Sequence, residues 1–76
     1  MNKARRKEID SVIATLEEAK ERLESIRDDE QDYFDNMPEQ FQYAEKGEAA
    51  EEAISNLDYA IDQIDEAISS AEDAKG

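Results

Sequence analysis

Apolar residues recur every seven positions along both halves of this chain, and that repeat decides what the chain can fold into. In the first half the steps between successive apolar residues are three and four. Such spacing gathers the side chains on one side of a helix and argues against a strand, in which alternate residues share a face. Two core columns follow, the first made of Ile9, Leu16 and Leu23 and the second of Val12, Ala19, Ile26 and Tyr33.

The second half repeats more regularly and carries three apolar columns. They are Ala50, Leu57, Ile64 and Ala71; Ala53, Ala60, Ala67 and Ala74; and Ile54, Ile61 and Ile68. A stripe three columns wide exceeds the seam that two helices need. We therefore expect the alanine column to permit a close helix approach and the isoleucine column to face a further helix.

Helix-breaking residues separate the two halves. Pro38 disfavours helix at the preceding residue, so the first helix should span about residues 3–35. Within a bend at 36–46, Asn36 and Glu39 resemble a capping box for a short helical turn at 38–42. The second long helix should span about 47–74, with Gly47 marking the junction.

The predicted fold is all-α, an antiparallel two-helix hairpin (coiled coil) in a single domain of 76 residues. A short connection makes consecutive helices antiparallel neighbours. A chain of this length buries little surface, and without cysteine it has no disulfide to compensate. Self-association is the remaining source of buried area, so we expect a homodimer that forms a four-helix bundle.

The charge balance narrows the class of partner. The chain has 22 acidic and 9 basic residues, for a formal charge of −13. This charge disfavours direct binding to nucleic acid or anionic membrane and favours basic partners. No apolar run approaches the roughly 20 residues that cross a bilayer, and no signal-peptide pattern is present. Since the chain has no cysteine, we expect a cytoplasmic protein.

An acidic stripe on the second helix is the first candidate site. From Glu48 to Ala74 the sequence has nine acids and no base. Such a stripe is typical of a solvated helix face. The alternative is a surface that binds a protein with a basic groove, and its candidate residues are Asp58, Asp62, Asp65 and Glu66.

The stretch of residues 33–43, at and just before the bend, holds four of the five aromatic residues and is the second candidate site. Its bulky residues are Tyr33, Phe34, Met37, Phe41 and Tyr43. They could plug the open end of the hairpin, where the heptad stripes have ended. They could equally form a recognition tip, because aromatic residues and methionine are enriched at protein interfaces. Both roles are compatible if Phe34 and Met37 point inward while Phe41 and Tyr43 point outward.

A basic cluster opens the chain, formed by Lys3, Arg5, Arg6 and Lys7. Positive charge at a helix N-terminus opposes the macrodipole, so compensation is expected. Glu72 and Asp73 are the natural partners, because the end of the second helix should lie alongside. Alternatively, Arg5 and Arg6 form a small anion-binding patch.

Catalytic and metal chemistry find little support in this sequence. There is no histidine or cysteine, so the serines lack an activating base and the usual metal ligands are missing. The acids at residues 28–35 lack the glycine and glutamate of a calcium loop. We therefore expect no catalytic residue, no metal and no cofactor.

Two stretches, "MNKARRKEID" and "RDDEQDYFDNMPE", resemble small acidic helical proteins encoded by phages and integrated elements of Gram-positive bacteria. The resemblance covers residues 1–10 and 27–39 well, and the second helix loosely. It implies a phage context, in which small proteins of this type often bind and redirect or block a host or defence protein.

These features favour a non-enzymatic binding protein that sequesters or inhibits a host or defence protein. Its acidic surface would steer the partner, and its aromatic tip would anchor it. Two other functions stay open. One is an oligomeric sponge that holds a small nucleotide between Arg5, Arg6 and tip aromatics of different subunits, and the other is a structural or assembly adaptor.

Overall fold

The computed structural model covers residues 1–76 and contains two long helices joined by a short helical bend. Helix α1 spans Lys3–Asp35, α2 spans Glu39–Gln42 and α3 spans Glu45–Lys75. The long helices α1 and α3 pack against each other as a hairpin with extents of 58 × 15 × 11 Å. The predicted all-α helical hairpin is confirmed. Neither long helix contains a stretch apolar enough to cross a bilayer.

Local hydrogen bonds explain where α1 begins and ends. At the N-terminus the Asn2 side-chain oxygen accepts a hydrogen bond from the backbone N–H of Arg5 at 2.8 Å. At the C-terminus the Asn36 side-chain amide donates to the carbonyl of Asp32 at 2.8 Å. The predicted capping box is therefore wrong, since Asn36 caps α1 and the N-cap of α2 is Pro38, without a side-chain hydrogen bond.

The start of α3 also differs slightly from the prediction. The helix begins at Glu45, two residues before the predicted start at 47, and its N-cap is Ala44. Gly47 lies buried in the first turn and does not mark the junction. The chain therefore turns between Tyr43 and Ala44 instead of at its glycine.

The surface through which α1 contacts α3, which we call the seam, includes charged side chains. Its α1 positions, all buried or half-buried, are Ile9, Ile13, Leu16, Lys20, Leu23, Arg27, Glu30 and Phe34. The predicted second column is wrong, because Val12, Ile26 and Tyr33 are 55%, 52% and 52% exposed. Lys20 and Arg27 occupy the seam in their place, since their methylenes can pack while their charged ends reach solvent.

On α3 the seam is apolar. Its positions are Ala50, Ile54, Leu57, Ile61, Ile64, Ile68 and Ala71. Ala50 and Ile61 are the most buried of these, at 3% and 5% exposure. The expectation that the isoleucine column faces a further helix is wrong, because that column faces α1. The alanine column lies beside the seam, with Ala67 and Ala74 exposed.

Three ion pairs between the helices show their register. They are Asp10–Lys75 at 2.6 Å, Lys20–Asp65 at 2.7 Å and Arg27–Asp58 at 2.9 Å. In every pair the two residue numbers add to the same total, as expected for an antiparallel pair of uninterrupted helices. Each carboxylate directly follows a seam residue, so all three pairs lie along the same side of the seam. The hairpin consequently has two long edges of different character.

Candidate functional site

One long edge of the hairpin, which we call the acidic edge, concentrates carboxylates from both helices. Its acids are Asp10, Glu17, Glu24, Glu51, Asp58, Asp65 and Glu72. Each of the seven comes directly after a seam residue in its own helix. They therefore all lie on the side of the seam that carries the three ion pairs. Only three bases reach this edge, and they are the partners Lys20, Arg27 and Lys75. The edge therefore keeps an excess of negative charge after pairing.

The three bases are held by their carboxylate partners. The hydrogen bond to Asp65 raises the pKa of Lys20, with smaller contributions from the charges of Glu24 and Glu17. Hydrogen bonds to Asp58 and then Asp28 raise the pKa of Arg27. These bases stay protonated at neutral pH, so they neutralise part of the edge permanently.

Lys75, at the open end of the hairpin, is also held by carboxylates. Hydrogen bonds to Asp10 and then Glu72 raise the pKa of Lys75. The Nζ atom of Lys75 lies 3.1 Å from Glu72, in addition to its contact with Asp10. One lysine therefore ties the end of α3 to the beginning of α1.

The four predicted acidic residues of α3 divide into two kinds. Asp58 and Asp65 belong to the acidic edge and form ion pairs with α1. Asp62 and Glu66 lie next to the acidic edge, on the outer side of α3. Both are exposed and form no ion pair. A basic partner could therefore contact Asp62 and Glu66 without breaking an existing pair.

The tip residues also divide into two kinds. Phe34 and Met37 are half-buried, whereas Phe41 and Tyr43 are 48% and 78% exposed. The half-buried pair lies close to Gln42, whose side-chain amide donates to the carbonyls of Phe34 at 3.2 Å and Met37 at 3.4 Å. The inner residues thus help to close the hairpin, while the outer ones are free for contact.

A shallow depression of about 300 Å³ lies where the tip meets the acidic edge. It is lined by Gln31, Phe34, Glu51, Ile54, Ser55 and Asp58. Two of these lining residues, Phe34 and Ile54, are hydrophobic, and two others, Glu51 and Asp58, carry carboxylates. A lysine or arginine side chain has the matching form, with an apolar stem and a charged end. Sequence reasoning missed this depression, because Gln31 and Glu51 carry no distinguishing signal on their own helices.

The basic cluster does not pair as predicted. Lys3, Arg5, Arg6 and Lys7 form no ion pair, and Glu72 instead contacts Lys75. The cluster also lies at the opposite end of the 58 Å hairpin from the tip aromatics. Arg5 and Arg6 therefore cannot meet the tip within one protomer. The seam bases Lys20 and Arg27 were also missed, because an apolar stripe is read from hydrophobic residues and charged side chains are not counted in it.

The chain has no group of three or more carboxylates arranged to hold a metal ion. No protein-family model, curated protein or solved structure matches it. The physical chemistry of the surface is therefore the basis for assigning a function.

Proposed function

We propose that this chain is a non-enzymatic binding protein of phage type that sequesters or inhibits a host or defence protein in the bacterial cytoplasm. The partner carries a basic groove, of the kind that proteins use to hold nucleic acid. The observation that carries this proposal is the placement of unpaired acids beside the acidic edge. The resemblance of residues 1–10 and 27–39 to phage-encoded acidic proteins supports the setting.

The distribution of charge on α3 supports an electrostatic role. This helix holds ten acids and two bases, and the acids from Glu48 to Asp73 follow one another with no base between them. At about 1.5 Å rise per residue they span roughly 40 Å. One-signed surfaces of this kind accelerate association with oppositely charged partners and make it sensitive to salt.

The depression beside Phe34 and Ile54 offers a place where a partner side chain can be buried, which surface charge alone does not provide. Long-range attraction mainly sets the rate of association, whereas buried anchors slow dissociation. A partner's lysine or arginine in the depression would place its stem on Phe34 and its charge near Glu51 and Asp58. The exposed ring of Tyr43 would extend the contact across the tip.

The test is affinity capture from bacterial lysate with the tagged chain, read by mass spectrometry at low and at high salt. We expect a nucleic-acid-handling protein that is released by salt and by added duplex DNA. The double variant Asp62→Asn/Glu66→Gln should reduce recovery. A matched variant on the side of α1 away from the acidic edge, Glu8→Gln/Asp29→Asn, changes the net charge equally and should retain recovery.

Equal recovery of the partner with both double variants would show that Asp62 and Glu66 do not contribute to binding. A partner that resists both salt and DNA would also contradict an interaction based on a basic groove.

A further inference from the structure

The long edge opposite the acidic edge is apolar and has no partner within the chain. We call it the apolar face, and it consists of Val12, Ala19, Ile26 and Tyr33 from α1 with Ala53, Ala60, Ala67 and Ala74 from α3. Both sets repeat every seven residues and lie on the side of the seam away from the ion pairs. The register puts the bulky α1 column beside the alanine column along the same edge.

We propose that a second copy of this chain covers the apolar face. The first argument is area. The chain exposes 5677 Å², whereas a folded monomer of its mass exposes about 4,700 Å² by the usual scaling of surface with mass. The excess of roughly 900 Å² is close to the 800 Å² that each partner buries in a standard protein interface.

The second argument is the small core of a single hairpin. Only Ile13, Ala50 and Ile61 are buried among the hydrophobic residues of the chain. Val12, Ile26 and Tyr33 remain more than half exposed, at 55%, 52% and 52%. Cores of this size rarely stabilise a chain of fewer than about 70–80 residues without a staple or self-association.

The third argument is the placement of charge on α3. All ten acids of this helix avoid the alanine column and its outer neighbour, which consists of Ala49, Asn56, Gln63 and Ser70. If these eight positions only faced solvent, some of them would be expected to carry acids, as the rest of this acidic helix does. Acids are excluded from the core of an interface, because a buried unpaired charge is strongly destabilising.

The shape of the face fits a second copy. Small alanine side chains let helices approach closely, and the larger side chains of Val12, Ile26 and Tyr33 can fill the space beside them. A two-fold dimer uses the same patch on both subunits, so a face with large and small columns is complementary to itself. The result is a four-helix bundle whose two acidic edges lie on opposite outer sides.

The test is the mass in solution, measured by sedimentation equilibrium over a range of concentrations. We expect a dimer for the natural sequence. Ala67→Glu places a charge on the apolar face at a position that is exposed in the single hairpin, so the hairpin itself has room for it. Dimerisation should weaken by about 100-fold or more.

The matched control is Ala14→Glu, which adds the same charge at an exposed position outside the face and should remain dimeric. Helix content by circular dichroism, followed at high concentration, separates loss of association from loss of folding.

A monomer at all concentrations for the natural sequence would overturn the proposal and leave the face to a different protein. A dimer that survives Ala67→Glu unchanged would overturn it as well, because the contact would then lie elsewhere.

Discussion

Gly47 packs directly against the backbone of Gln42, at the point where α3 begins. A β-carbon at residue 47 would lie 2.6 Å from the Cα atom of Gln42 and 2.5 Å from its carbonyl carbon. Backbone atoms cannot rotate away as the end of a flexible side chain can. The close approach of α2 to α3 therefore depends on the missing side chain at residue 47.

Substituting Gly47 by alanine should destabilise the protein, although glycine is normally the worse residue in a helix. Alanine usually gains up to about 1 kcal/mol inside a helix. Here the steric overlap should outweigh that gain and cost about 1–3 kcal/mol. Urea denaturation measures the change in unfolding free energy. Asn56→Ala, at an exposed position of α3, is the control and should be neutral or slightly stabilising. A stabilised Gly47→Ala variant would show that the bend does not need this contact.

The close packing at Gly47 was not readable from sequence, and the seam of α1 shows the same limit. Heptad spacing was sufficient to predict two long helices and an antiparallel hairpin. It failed to select the correct second column of α1, because counting apolar residues favours Val12 and Ile26 over Lys20 and Arg27. The deciding information is non-local: Asp65 and Asp58 stand opposite those bases only once the register is known.

The acidic site was partly predictable for a similar reason. Composition alone identified α3 as the acidic helix and Asp58, Asp62, Asp65 and Glu66 as its candidates. Sequence could not separate the paired carboxylates from the unpaired ones, because pairing depends on the other helix. The depression at Phe34 likewise needs both helices, so it appears only in the folded chain.

The lysine ion pairs predict loss of stability at high pH. The carboxylates beside Lys20 and Lys75 raise the pKa of both side chains in the folded state. Their contribution is therefore complete below the unfolded lysine pKa of about 10.4 and is lost as the pH rises through the folded value. The melting temperature should fall over this alkaline range, and it should fall less in Lys20→Gln/Lys75→Gln.

The matched control for that series is Lys46→Gln, because Lys46 forms no ion pair between the helices. Melting curves by circular dichroism from pH 8 to about 11.5 make the comparison. An alkaline decline of the same size in the double variant and the natural sequence would show that these two lysine ion pairs do not cause it.

The two kinds of tip residue should separate stability from binding. Phe34 is half-buried between the helices, so Phe34→Ala should cost about 2 kcal/mol, less than the loss at a fully buried phenylalanine. Tyr43 is 78% exposed, and Tyr43→Ala should change the unfolding free energy by less than about 0.5 kcal/mol. Denaturant titration gives both values. If Tyr43→Ala destabilised the chain as much as Phe34→Ala, the outer part of the tip would be structural.

Two isoleucines should reveal the contributions of the seam and the apolar face. Ile61 is 5% exposed against α1, so Ile61→Ala should cost about 3 kcal/mol within the hairpin. Ile26 is 52% exposed in the single hairpin, and its loss there should be small. In a dimer, however, stability depends on protein concentration, and Ile26→Ala should lower the melting temperature by weakening association.

Thermal melts at several concentrations distinguish these cases. The natural sequence and Ile61→Ala should both melt at higher temperature as concentration rises, since both retain the apolar face. The melting temperature of Ile26→Ala should depend less on concentration, and this variant should need a higher concentration to dimerise. Ser25→Ala, beside it on the outer side of α1, is the control that should follow the natural sequence. Melting temperatures independent of concentration in all four proteins would mean that the hairpin is stable alone, and that Ile26 contributes nothing to association.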